Sequence, residues 1–416
     1  MTPSRTVWWT TGWLIAAGWA LSFPLFSSLE PHRLWGWCAA AGYLGAAGAA
    51  LLGRRRAALA AALLGAVAVP LLWLVLTGQG QSEVTVIERS GRLLLESGRI
   101  YVDRPEQVEE YTPYLPAMAL LGLPRALLGG DAGGDGWAVR LLGDARIWCA
   151  ATLFGCLWAA RRLPGADGGP GRLSGGDGGA GAGAGPGRLL SVLVASPVVA
   201  LPLAVSGVDL PLAGLCCLAL AAAAAGRPVP AGAALAGACA LKWTALPAVA
   251  VVMALLAVRR GGRSAVRCAL TAAGGTALLV LPGALLQPAE LWRQVFAFPT
   301  GRAEVPTPAS SPLPGHLLAE LGSWGWYLAM GLLTVGGLAV ALSLFVRPPR
   351  TVVAAADRLA LGLTLAFLLA PAGRFGYLAL PVLLAVWARS TAPCRPGASR
   401  IVAGSGSAAR RPARAS

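Results

Sequence analysis

Apolar blocks of about 17 to 22 residues recur from one end of this sequence to the other, which is the helix length a bilayer core requires. A backbone facing lipid must satisfy its polar groups within its own segment, so such blocks fold as helices. With 56% hydrophobic and 12% charged residues, the chain reads as an all-α polytopic membrane protein. A net charge of +16 could suggest a nucleic-acid partner. The arginines instead stand at block ends, as in Arg54-Arg55-Arg56, Arg161-Arg162, Arg259-Arg260, Arg347 and Arg350, where a cytoplasmic rim puts them.

The blocks predict twelve transmembrane helices, at approximately 7–27, 34–52, 57–77, 144–160, 189–206, 210–225, 230–241, 244–258, 265–286, 325–346, 352–370 and 376–389, with both termini cytosolic. Two stretches are ambiguous, since 113–128 could span and 231–258 could be one helix. Charge decides. A span at 113–128 would carry Arg161, Arg162, Arg172, Arg188 and Arg227 to the outside, so that stretch is expected to lie on or dip into the outer face with Arg125 unburied.

The organisation that follows is an N-terminal three-span segment (1–77), an outer acidic loop with interfacial helices (78–143), a transmembrane core (144–389) and a basic cytosolic tail (390–416). The core includes a cytosolic Gly-rich linker (163–188) and a second outer loop (287–324). The first block reads as a retained anchor, having no convincing cleavage site. The linker holds a formal GxGxxG at Gly176, Gly178 and Gly181, but no strand precedes it, so it is not read as a nucleotide site. The tail, basic without one acid, is expected to be disordered and to touch anionic membrane lipid. Cys149, Cys156, Cys216, Cys217, Cys239 and Cys268 fall in apolar blocks without metal-ligand spacing, so they read as packing residues.

Ten of the eighteen carboxylates lie between Gly78 and Asp144. From Ser82, apolar Val84, Ile87, Leu94 and Leu95 alternate with Glu88, Arg89, Arg92 and Glu96 at near-helical spacing, predicting an amphipathic interfacial helix. Glu83 falls in its first turn, just past the third span, where a carboxylate would be held at the rim between membrane and water. Glu106, Glu109 and Glu110 read as solvated loop charges ahead of the aromatic run Tyr111-Thr-Pro-Tyr114. Lys242 is the only lysine and sits between two short apolar blocks; it is either a functional cation or one that snorkels to the interface. Asp209 either caps the following helix or joins a site. The second loop, rich in Pro, Ser and Thr, is expected to be an ordered, non-helical cover holding Arg293, Arg302 and His316. Outer-face arginines, Arg374 among them, run against the charge bias and suit a lipid phosphate or pairing with loop acids.

Together these features resemble the GT-C glycosyltransferases, and most closely glycosyltransferase family 87, the polyprenyl-phosphate-mannose-dependent mannosyltransferase-like group. The resemblance rests on Glu83 opening the first outer loop, on Gly98 to Tyr101, on Tyr111-Thr-Pro-Tyr-Leu-Pro116, on Gly207-Val-Asp209-Leu and on Lys242-Trp-Thr244. The family's loop acid is commonly Asp and is Glu here, two N-terminal spans precede it, and a Ser-Pro-x-Ser-Trp-x-His-like segment is replaced by APAGRFGY around Arg374. The resemblance implies that a hexose, mannose for this group, moves from a polyprenyl-phosphate donor to a lipid-linked or glycan acceptor on the outer face of the plasma membrane, with inversion. It implies Glu83 as general base and Lys242, Arg374, Arg302 and His316 as phosphate contacts, with Asp209, Tyr111 and Tyr114 beside the substrates. The scheme calls for no metal or cofactor. A transporter or lipid-carrier flippase, and a non-catalytic scaffold, are the competing readings from composition alone.

Overall fold

The computed structural model describes residues 3–129, 136–163 and 186–391. The Gly-rich stretch 164–185, with its GxGxxG, and the tail beyond Thr391 lie outside the described residues. The chain is helical throughout the described residues, with a lone bridge between Ser310 and Gly373 and no strand.

Helices α1 (Pro3–Phe26), α2 (Glu30–Leu51) and α3 (Arg55–Leu76) open the chain, followed by α4 (Ser82–Ser97), α5 (Pro116–Leu128), α6 (Trp137–Gly143) and α7 (Ala145–Arg162). Next come α8 (Pro186–Ala195), α9 (Pro197–Val205), α10 (Leu210–Ala224), α11 (Pro228–Leu241), α12 (Trp243–Arg260) and α13 (Gly262–Leu286). Helices α14 (Pro314–Ala319), α15 (Ser323–Val346), α16 (Val352–Leu369) and α17 (Phe375–Thr391) complete it. A helix stands in each of the expected twelve places. Among the described residues six helices are long and apolar enough to cross a membrane, or seven if the α6–α7 pair, bent by 47°, is one span. Part of the shortfall from twelve is a matter of length. Helices α10 and α11 have only 15 and 14 residues, and Ser196 divides α8 from α9.

Those short helices form the centre of the molecule. Thirteen of the 15 residues of α10 are buried, most of them Ala, Cys or Leu. Small side chains let neighbouring backbones approach closely where lipid supplies no hydrophobic drive. At Gly232 a Cβ would stand 2.6 Å from the Cys268 carbonyl, so α11 and α13 meet nearly backbone to backbone. Helix α15 is the opposite case, with three buried residues in 24.

The stretch 231–258 breaks into two helices, as charge placement predicts, because Lys242 leaves the helix with an extended backbone (φ −147°, ψ 136°). The segment Pro116–Leu128 is a short 3-10 turn and helix that lies on α4. Arg125 is half-buried, contrary to expectation, with its aliphatic stem against Gly143. The second loop also departs from the expected non-helical cover, forming helical turns over Pro288–Leu291, Trp292–Ala297 and Phe298–Thr300, and then α14. Pro288, Pro299 and Pro314 fall in first turns, where the missing N–H costs nothing, so they start helices there, whereas Pro306, Pro308 and Pro312 lie in the stretch 301–313, which is non-helical as expected.

Candidate active site

Helix α4 begins where α3 has ended, and its first turn carries Glu83. Two contacts fix its height. The Gln81 N–H donates to the Val205 carbonyl at 3.0 Å, and Gly122 of α5 lies so close to Ile87 that a Cβ there would meet its carbonyl oxygen at 2.1 Å. Gln81 Nε2 also lies 2.5 Å from His32 Nε2, tying the start of α4 to α2. At its other end α4 stops at Gly98, whose φ of +71° suits a residue without a side chain.

The chain then returns over the helices. Tyr101 is buried and donates its hydroxyl to the Tyr114 carbonyl at 3.0 Å, while the Leu115 N–H donates to the Leu241 carbonyl at 3.0 Å. Tyr114 is thereby set beside Lys242, the residue after Leu241. Lys242 Nζ lies 2.5 Å from Asp209 Oδ1, 5.0 Å from the Tyr114 ring centre and 5.8 Å from that of Tyr377. Asp209 precedes α10 without capping it by its side chain, because the carboxylate serves Lys242. Arg374 comes from the α16–α17 turn and pairs with Glu83. That turn is held by the second loop: the Gly373 N–H donates to Ala309 O at 2.9 Å, and the Ser311 N–H to Gly373 O at 3.0 Å.

Both ion pairs open on a cavity of about 600 Å³. Glu83, Asp209, Lys242, Arg374, Tyr114 and Tyr377 line its loop-side end, and the rest of the wall is largely apolar, drawn from α12, α15 and α16. The Glu83 side chain is 18% exposed. Burial pushes its carboxyl above the ordinary carboxylate range, and the opposing pull of Arg374 and Lys242 does not cancel this. Burial is the largest single influence on Lys242 and acts in the sense that would discharge it, yet Asp209, Tyr377 and Glu83 together outweigh it and hold Lys242 above its usual value as an ammonium. Burial, then the Glu83 charge, raises Tyr114, whose hydroxyl keeps its proton.

Of the other residues singled out from sequence, Tyr111 lines the cavity and stacks on Phe298 at 4.3 Å between ring centres. The structure does not bring Arg302 or His316 to the cavity. Gly301 turns the backbone (φ +74°) and sends Arg302 back over Trp326, 3.9 Å from its ring centre. His316 Nδ1 lies 3.0 Å from the Pro371 carbonyl and Nε2 lies 3.3 Å from Glu320. Arg293 pairs with Glu290 at 2.8 Å.

Three residues that sequence reasoning passed over matter here. Tyr377 shares the cavity, and its signal was its place three residues after Arg374. Gln287 and Gln294 are buried and clasp the first loop to the second. Gln287 Oε1 accepts from the N–H of Ile100 (2.9 Å) and Tyr101 (3.0 Å), and Gln294 Oε1 accepts from that of Thr112 (3.0 Å). Gln287 stands just before the first helical turn of the second loop and Gln294 in the π turn that follows, so their convergence on the first loop depends on a backbone that α-helical spacing does not give.

Fold and site thus define an all-helical integral membrane protein with a charged cavity under a loop cap. The family model of glycosyltransferase family 87 matches residues 111–371, more than half of the chain, and the protein belongs to that family. It is therefore a membrane glycosyltransferase. The match includes Tyr111, Tyr114, Asp209 and Lys242, while Glu83 and Arg374 fall outside it. No curated protein matches the chain, and no solved structure does.

Proposed function

We propose that the protein transfers a hexose, mannose by family resemblance, from a polyprenyl-phosphate donor to a lipid-linked or glycan acceptor, inverting the anomeric centre with Glu83 as base. In this reading twelve helices cross the plasma membrane, both termini are cytosolic and the loop cap faces outward. The carrying observation is the two-part cavity: charged groups at the loop end and a long apolar wall beyond. A polyprenyl phosphate sugar has the same division.

The acceptor hydroxyl gives its proton to the Glu83 carboxylate while its oxygen attacks the anomeric carbon. The bond from that carbon to the phosphate oxygen breaks on the opposite side, and the polyprenyl phosphate departs with the electron pair. Phosphate is a good leaving group, so no acid like that of a glycosidase is needed. A carboxylate held above its usual range by burial is a stronger base than one in water. The pairing with Arg374 adds a coupling. As Glu83 takes the proton it loses its charge, and Arg374 is freed for the phosphate just as negative charge builds there. Lys242, an ammonium whose charge Asp209 balances, supplies the second cation.

The test is transfer from labelled polyprenyl-phosphate mannose by membranes containing the wild type or Glu83→Gln. Wild-type transfer with loss in the variant is expected. Full activity in Glu83→Gln removes the base, and no transfer by the wild type from any polyprenyl-phosphate sugar removes the donor.

A further inference from the structure

The cavity does not end at the catalytic cluster. It continues between α15 and α16 to Arg358, a cation separate from the two ion pairs. At about 1.5 Å of rise per residue, Arg358 lies roughly 17 Å along α16 from Leu369. Its guanidinium donates across the end of the cavity to the carbonyl of Arg347, the residue that closes α15. A charged bridge between two helices therefore stands at the far end, whereas the walls leading to it are apolar.

Those walls are shaped for a chain. On α15, Leu333, Gly337, Val340 and Leu344 recur at the three- and four-residue spacing of one helical face, and all line the cavity. A Cβ built at Gly337 would meet nothing within 4 Å, and one at Gly362 on the facing helix would meet only Val340 Cγ1, at 3.4 Å. Side chains are missing where they would fill the passage, with no turn or close backbone approach to require glycine at 337.

We propose that this passage measures the donor: the proximal isoprene units of the polyprenyl tail lie along α15 and α16, and Arg358 sets how many of them the enzyme reads. The inference rests on the lipid-linked donor proposed above. The cations Lys242 and Arg374 fix the phosphate at one end. A hydrocarbon tail running from there gains from each buried unit until it meets a guanidinium that cannot be covered by apolar carbon without loss of its partners. Units beyond that point turn out into lipid and add nothing to recognition.

The experiment is a set of donors carrying one sugar on polyprenyl phosphates of increasing length, assayed with the full-length protein in bilayers. For the wild type, KM is expected to fall with each added unit and then level off. Arg358→Leu should move the levelling point to longer tails. Gly337→Phe, which plugs the passage midway from a position where a Cβ meets nothing within 4 Å, should move it to shorter tails and leave KM for the longest donors roughly 10² to 10³-fold higher, the loss of the five carbons of one buried isoprene unit. Short donors that end before Gly337 should be used unchanged. A wild type that transfers with no dependence on tail length overturns the inference, as do two variants that level off where the wild type does; the donor reading survives both results. Absence of transfer from every polyprenyl phosphate sugar overturns the donor reading and this inference with it.

Discussion

The protein buries ion pairs in two settings. Beneath α4, Asp144 and Arg146 form a sealed pair. Arg146 is 1% exposed, its Nε and Nη2 donate to the two carboxylate oxygens at 2.9 and 2.6 Å, and its Nη1 donates to the Ala204 carbonyl at 3.1 Å. Asp144 also caps α7 through the Arg146 N–H. At the cavity, by contrast, the Glu83–Arg374 and Asp209–Lys242 pairs each touch open volume. The same chemistry serves structure where the pair is sealed inside the protein, and is available for exchange where one side faces the cavity.

That contrast makes separable predictions. The largest concerns Glu83→Gln, expected to lower transfer by about 10² to 10⁴-fold while leaving thermal stability in detergent near the wild type's. Its counterpart, Arg146→Leu, strands a buried carboxylate and should cost about 3–5 kcal/mol, read as a lower yield of folded protein whose surviving molecules still transfer. Two variants with the same loss, whether of activity or of stability, would erase the distinction.

Lys242→Ala should raise KM for the lipid donor by roughly 10 to 100-fold, the worth of a hydrogen bond to a charged group. An unchanged KM would take Lys242 out of the phosphate contacts. A pH profile probes the pair itself. Glu83 must be ionised to act, and burial has raised its pKa, so the acid limb of kcat/KM should lie above the ordinary glutamate value of about 4.3. Arg374 opposes that rise, hence Arg374→Gln should move the limb to still higher pH whatever it does to the maximal rate. A limb that stays put or moves down would show that another group governs it. The smallest effect is expected for Arg302→Ala, which loses a cation–π contact of about 0.5–1 kcal/mol and should leave kcat/KM as it was.

Much of this was legible in the chain. The break at Lys242 followed from arginine placement, and the helix starting at Ser82 from its periodicity, because both are local or set by the bilayer. What the sequence hid depends on contacts between distant segments. Arg302 carried the right charge in the right loop, but Gly301 and Trp326 aim it elsewhere. Pro288, Pro299 and Pro314 of the second loop looked like breakers, and their position in a first turn made them starters, while Pro306, Pro308 and Pro312 do stand in non-helical chain. Twelve apolar blocks suggested twelve crossings of equal standing, yet α10 and α11 are short because their neighbours, and not lipid, surround them. Tyr377 is marked by its place three residues after Arg374, whereas the clasping role of Gln287 and Gln294 depends on how the two loops meet.

The thinly packed α15 has one more consequence. Its outward residues Val335, Leu338, Leu342 and Phe345 are mostly exposed, while its other face borders the cavity, so a single helix separates the working volume from the surrounding hydrophobic phase. An amphiphile exchanging past that wall never passes through bulk water. For the lipid-linked donor proposed above, the rate is then expected to answer to its mole fraction in the two-dimensional film, and diluting the bilayer with inert lipid should slow turnover even when the amount of donor per millilitre is unchanged.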